Sequence, residues 1–225
     1  MNKNLKNEVI EQLEKDILFG FENEKDLIEN ISDMFYDEED LDLKWLTTQV
    51  KTRLNNHYTH SLNWDRPSDF DRLVKAFDQL NTANIVSLHK AGYTKQDGRV
   101  DCHEIINELK SLGITSKGYC FYHTQDLETA ISNLKTLYIA FDSYNQDDEL
   151  AQEVAKNIIK VLKDNGFKTK WNGSLDTRIA ILDINWQKTI DNIDYNYTRI
   201  FDILKANTEK SVIKKSTKKP FWKIW

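Results

Sequence analysis

Hydrophobic residues over the first sixty positions recur at helical spacing. Val9, Leu13 and Ile17 stand at i, i+4 and i+8 and stop at Gly20. Leu27, Ile31 and Phe35 repeat the interval, and Leu43, Leu46, Val50 and Leu54 resume it beyond the acidic run from Asp37 to Asp40. The pattern predicts three short amphipathic helices. Helices of that length are marginal alone, so their apolar stripes must lean on one another and on the rest of the chain.

A new unit begins near Trp64. Ser68, just behind Pro67, is a good N-cap for a helix with Leu73, Phe77 and Leu80 on one face, and Ile85–Leu88 beyond Asn84 predicts a strand. The stretch Ala91–Gly98 has two glycines and an Asp97-Gly98 pair, which predict a turn with positive φ at Gly98. Ile105, Leu109 and Leu112 then mark a helix that stops at Gly113. A strand over 118–122 and a helix over 125–133 follow. The strand expected over 136–142 is apolar on both faces and therefore central. Asp147 or Asp148 opens a helix with Val154, Ile158, Val161 and Leu162 buried, ended by Gly166. Strands over 167–171 and 177–183 form a hairpin about Asn172-Gly173-Ser174. Thr189 to Asn207 is a last helix, with Ile193, Tyr197, Ile200, Phe201 and Leu204 on one side.

The fold class expected from this order is α/β or α+β: N-terminal helices, then a mixed four- or five-stranded sheet with packed helices and a C-terminal helix. The expected organisation is a helical region over 1–60, a mixed α/β domain over 61–187, a C-terminal helix over 188–210 and a basic aromatic tail over 211–225. A chain of 225 residues, 40% of them hydrophobic, supplies enough apolar surface for a real core. No apolar run approaches the ~20 residues of a membrane span, and the start Met1-Asn2-Lys3 leads into an amphipathic pattern; both favour the cytoplasm.

Charge is unevenly spread. Lys214, Lys215, Lys218, Lys219 and Lys223 give residues 211–225 a charge of +5, so the remainder carries −10. Such a body repels phosphates, and it has no basic stripe interleaved with aromatics; the folded part is not expected to bind nucleic acid. Lys218, Lys219, Phe221, Trp222 and Trp225 combine cations with terminal aromatics, a composition that suits an acidic partner groove or a weak membrane contact.

The densest candidate chemistry is Gly118-Tyr119-Cys120-Phe121-Tyr122-His123-Thr124-Gln125-Asp126. A buried strand there delivers His123, Gln125 and Asp126 to its carboxyl end where a helix begins, the edge at which α/β sheets usually bind ligands. Cys120 and His123 are three apart on a strand and face opposite sides, which disfavours a cysteine nucleophile. Thr94 and Asp97 could rim such a pocket, and Arg178 could add a cation; braced structurally, Arg178 would stack on Trp171 or pair with Asp176. Asp69 and Asp71, two apart on a helix, diverge and cannot share a proton or a metal. Cys102 and Cys120 are expected as reduced thiols, since two cysteines do not make a disulfide scaffold. The spacing of Cys102, His103, Cys120 and His123 is too loose for zinc, and residues 142–148 lack the glycine and spacing of a calcium loop. No metal or cofactor is expected.

The chain resembles an uncharacterised bacterial domain-of-unknown-function family. The resemblance lies in Trp64…Ser68-Asp69-Phe70-Asp71-Arg72-Leu73…Ala76-Phe77, Ala91-Gly92-Tyr93-Thr94…Asp97-Gly98, Gly118 to Asp126 with Leu137 to Phe141, and Trp171-Asn172-Gly173…Arg178-Ile179. It covers roughly residues 8 to 187 and leaves the C-terminal helix and tail outside. It implies an intracellular bacterial protein and carries over no catalytic residue. The acidic body and the missing catalytic set point first to a protein-interaction module of immunity or regulatory type that binds another protein. The alternatives are an enzyme or small-ligand binder at the end of strand 118–122, and a peripheral membrane adaptor held by the tail.

Overall fold

The computed structural model describes residues 1–38 and 40–216. It is an α+β fold. Helices α1 (Lys3–Phe19), α2 (Glu24–Met34) and α3 (Leu43–Ser61) pack through Val9, Leu13, Leu27, Ile31, Leu46 and Val50, all fully buried. The acidic run between α2 and α3 ends in a cap: the Asp42 carboxylate accepts the Lys44 and Trp45 N–H groups at 2.9 and 3.1 Å.

Helix α4 (Asp69–Thr82) opens on a capping box. Ser68 Oγ accepts the Asp71 N–H and Asp71 Oδ2 accepts the Ser68 N–H at 2.8 Å. Strand β1 (Ile85–Leu88), helix α5 (Lys95–Ser111), strand β2 (Gly118–Phe121), helix α6 (Thr124–Ile131), strand β3 (Leu137–Ser143), helix α7 (Asp148–Asp164), strands β4 (Lys168–Lys170) and β5 (Ile179–Leu182), and helix α8 (Tyr197–Ser216) follow. The sheet order is β1-β2-β3-β5-β4, with β1 and β2 parallel and every other neighbour antiparallel.

Both sides of the sheet are apolar near β2, as a central strand demands. Cys120, Ile139, Phe141, Ile179 and Ile181 meet α4 and α7 on one side. Val86, Leu88, Tyr119, Phe121 and Ala140 meet α5 and α8 on the other. Because β1 and β2 are parallel, their carboxyl ends share one edge, and the N-termini of α5 and α6 start there side by side.

Three expectations need correction. Gly98 is not a turn glycine with positive φ: Thr94 caps α5, and Gly98 lies inside that helix because a Cβ there would run into the Phe121 ring and the Ala91 carbonyl. The glycine serves close packing; the left-handed residues of this connection are Lys90, at φ +46°, and Gly92, at φ +60°. The β4–β5 hairpin is not tight, since its strands end at Lys170 and restart at Ile179. The Trp171 indole N–H closes the intervening loop on the Ser174 and Thr177 carbonyls at 3.0 and 3.3 Å. The last helix begins at Tyr197 rather than Thr189. Asp194 holds its start by accepting the N–H groups of Asn196, Tyr197 and Thr198, and Asn196 is itself clamped by both backbone groups of His89 at 2.8 Å.

Residues 183–196 are therefore a strap without regular structure. The Trp186 indole N–H donates to Phe19 O at 3.2 Å, and Lys188 O bonds His57 Nε2 at 3.1 Å, tying the N-terminal helices to the sheet. The Lys188 ammonium, only 1% exposed, lies 4.8, 5.0 and 4.8 Å from the ring centres of Phe21, Phe70 and Tyr195. Burial pulls its pKa down and Asp191 opposes that shift. Gly20, at φ +80°, lets the strap close, because a Cβ there would sit 2.6 Å from Lys188 O. Gly20→Ala is expected to cost about 2–4 kcal/mol by urea denaturation, from a strained left-handed backbone conformation added to a backbone clash. A loss below about 0.5 kcal/mol would show that the strap does not constrain this turn.

Candidate functional site

Strand β2 ends at Phe121, and two residues later His123 is the N-cap of α6 in extended backbone. Asp126, in the first helical turn, accepts the His123 N–H on Oδ2 at 3.1 Å. That is the capping geometry a first-turn acid provides. Arg178 stands immediately before β5. The register Tyr138↔Ala180 puts its guanidinium on the side of the sheet away from α7, where it stacks over Tyr138 at 4.7 Å. From there Nη1 donates to Asp126 Oδ1 and to His123 Nε2, the latter at 3.3 Å.

These three side chains differ in access. His123 and Asp126 are 4% and 2% exposed, whereas the Arg178 side chain is 34% exposed. Both described bonds of the guanidinium use Nη1, so the Nε and Nη2 edge has no protein partner among the described residues. An arginine can only donate, so its bond to Nε2 requires the lone pair there and the proton on Nδ1. In the other tautomer Nε2–H would donate to Asp126 Oδ2, 3.2 Å away. Either way His123 Nδ1 is buried without a hydrogen-bond partner among the described residues.

Burial, then the positive charge of Arg178, pushes the His123 pKa down to about 4, with Asp97 opposing. Burial pushes Asp126 up to about 6, against the His123 N–H and Arg178. At neutral pH the site is thus a neutral imidazole beside a carboxylate and guanidinium pair.

Thr94 and Asp97 are occupied with each other: Asp97 Oδ2 accepts the Thr94 N–H and hydroxyl at 2.9 Å each, a capping box at the start of α5. Asp97 reaches His123 only through its field. Gly92 O accepts the N–H and hydroxyl of Thr124 at 3.2 and 3.0 Å and stitches the two helix starts together. Gln125 is exposed and touches none of these groups. Neither structural partner expected for Arg178 is found: Trp171 braces its own loop and packs on Phe141, and Tyr138 and Asp126 take their place. Tyr138 is the participant that sequence reasoning missed; the period-2 alternation of 136–142, followed across to β5, was the signal for it.

Cys120 faces α4 and α7, its thiol 3.3 Å from Ser87 Oγ, and burial pushes its pKa up to about 12. The structure thus keeps it away from His123. A cleft of about 310 Å³ runs along α5, lined by Gln96, Arg99, His103 and Asn107; His123 and Arg178 are not in its wall. No group of three or more His, Cys, Asp or Glu side chains able to hold a metal occurs among the described residues. Lys218, Lys219, Phe221, Trp222 and Trp225 lie outside the described residues.

Fold and site together define an α+β protein with a polar corner where a parallel strand pair meets two helix starts. The chain belongs to the family described as a domain of unknown function, DUF6891, whose model matches residues 2–190 and so includes every residue of this corner. Neither a curated protein nor a solved structure matches the chain. Among the described residues no helix is long and apolar enough to cross a membrane.

Proposed function

We propose that the protein binds a small anionic ligand at the His123–Arg178 corner. The observation that supports this most is an arginine whose hydrogen bonds all use Nη1, so that its bidentate Nε and Nη2 edge has no protein partner among the described residues. Guanidinium forks of that kind match carboxylate and phosphate oxygens, and a fork already fixed by Tyr138 and Asp126 loses little rotamer entropy on binding. Asp126 holds the fork in place, and the His123 ring, whose Nε2 lies 3.3 Å from Nη1, is close enough to feel the charge of an anion bound there. The protein is placed in the cytoplasm by the same proposal, supported by the two free, buried thiols of Cys102 and Cys120.

Inorganic phosphate is the simplest probe. By calorimetry at pH 6.5 the intact chain is expected to bind it with a dissociation constant of about 1 mM, and Asp126→Asn/Arg178→Gln to bind it at least about tenfold more weakly. The double substitution is used because it leaves no buried charge unpaired, and a thermal melt verifies its fold. Equal binding by both forms would defeat the proposal.

One observation favours a second reading, an interaction module. Met34, Tyr36 and Leu43 are 56%, 78% and 55% exposed around the acidic connection of α2 and α3. Aromatic and apolar side chains presented within a ring of acids suit a basic, amphipathic protein partner. Tyr36→Ser/Leu43→Ser is expected to abolish capture of such a partner while leaving phosphate binding unchanged; capture that survives the substitution would reject this surface.

A further inference from the structure

We infer that the partner of the acidic surface between α2 and α3 is a second copy of this chain, each copy laying its residues 218–225 on the other's α2–α3 connection to close a two-fold dimer. This rests on the interaction reading of that surface and names its partner.

The two segments are opposite in charge and alike in apolar content. Residues 33–42 hold Asp33, Asp37, Glu38, Glu39, Asp40 and Asp42 and no lysine or arginine. Residues 211–225 hold Lys214, Lys215, Lys218, Lys219 and Lys223 and no acid. Charge alone attracts without fixing a geometry, but apolar side chains accompany it on both sides. Met34, Tyr36 and Leu43 are each more than half exposed, and the tail supplies Phe221, Trp222, Ile224 and Trp225. Acids nearby on α2 are already paired, Glu24 with Lys51 at 3.6 Å and Glu29 with Lys25 at 3.5 Å. Asp33, Asp37, Glu38 and Asp40 have no ion-pair partner among the described residues, so a cation from outside meets them without displacing another.

The fold sends the two segments apart, which selects a second copy over the chain's own tail. Both depart from the strap: His57 of α3 bonds Lys188 O, and Asn196, just before α8, is clamped on His89. From His57 back to Leu43, α3 covers roughly 20 Å at about 1.5 Å per residue. Helices α1–α3 pack on one another and, through α1, on α6, whereas α8 packs on α4. His89 follows β1 and Thr82 precedes it, so α8 crosses to the other edge of the sheet by the point where Asn207 donates to Thr82 O at 3.2 Å. At Ser216 it is roughly 30 Å from its start. Residues 217–225 span roughly 30 Å even fully extended, too little to return and lay Phe221 and Trp222 on the chain's own connection. Two copies set side by side and antiparallel bring each α8 end to the other's connection, and a contact made twice about one axis closes.

Sedimentation velocity on the full chain tests this. The intact chain is expected to be mainly dimeric at about 100 μM and mainly monomeric at about 1 μM. Lys218→Glu/Lys219→Glu and, separately, Asp37→Lys/Glu38→Lys should each weaken dimerisation at least about tenfold. An equimolar mixture of the two variants should restore it, because every tail then faces a connection of opposite charge. Asp37 and Glu38 are exposed, and circular dichroism verifies the fold of each variant. A monomeric intact chain, a dimer indifferent to either reversal, or a mixture that stays monomeric overturns the inference. The surface itself is then judged by partner capture: capture abolished by Tyr36→Ser/Leu43→Ser keeps it, and capture that survives rejects it as well. A chain that stays monomeric and binds anionic vesicles through its tail also overturns the inference, in favour of a membrane.

Discussion

Arg178→Ala is expected to lower stability by about 2–3 kcal/mol at pH 8, chiefly because it strands Asp126. The carboxyl group is 2% exposed and would keep its bond to the His123 N–H and, at best, a neutral imidazole Nε2 at 3.2 Å, with no cation. Losing one partner of a fully buried pair costs more; the figure is reduced here because the guanidinium is about one-third exposed and already partly solvated. The loss should shrink at pH 5, since Asp126 titrates near 6 and takes up a proton once its cation is gone. Asp126→Asn/Arg178→Gln should recover most of the stability, as no charge is then left buried. Urea unfolding of the three proteins at pH 8 and pH 5 measures this; a loss under about 0.5 kcal/mol at both would show that the pair does not anchor the corner.

Acidification from pH 6.5 to 4 is expected to remove on the order of 4 kcal/mol of stability, the second large effect. His89 is buried against Phe77 and bonded to the Tyr122 hydroxyl at 2.9 Å, and burial, with the nearby charges of Arg199 and Lys188, pushes its pKa down to about 3. His123 is pushed down to about 4. Both imidazoles are neutral in the folded chain, and both become charged near 6.5 once it unfolds. Between 6.5 and 4 the unfolded state therefore binds more protons, and folding stability, fully present above 6.5, falls with pH. Asp126 has the opposite sign: raised from 3.8 to about 6, it takes up its proton earlier when folded and returns part of the loss below 6. Unfolding midpoints that stay flat from pH 7 to 4.5 would contradict burial of two neutral histidines.

The elements could be read because their signals are local. The stripes of α1 to α3 needed only the i, i+4 spacing, the cap of α7 an acid at Asp147, and the central position of β3 an unbroken apolar run. Thr94 and Asp97 carried a local signal too, since Thr-x-x-Asp is a capping pattern; the Asp97-Gly98 pair looked like a turn only because the glycine's real task, contact with Phe121, is long-range. The corner was half visible. His123 and Asp126 follow from a strand that runs into a helix start. The partner of Arg178 depends on strand order: β5, not β4, lies beside β3, and that puts Tyr138 under the guanidinium and Trp171 out of reach. Lys188 gave no pattern at all, because a lysine in an irregular segment looks solvated until three aromatic rings from distant parts of the chain surround it.

The most direct test is ring-nitrogen NMR of the protein labelled in its five histidines, titrated with inorganic phosphate at pH 6.5. Free His123 should appear as a neutral imidazole with its proton on Nδ1. Phosphate should move its signals progressively and raise its pKa from about 4, because a bound anion favours the imidazolium, while His57 and His103 stay in place. Saturating phosphate that leaves the His123 signals and titration unchanged would contradict an anion site at this corner.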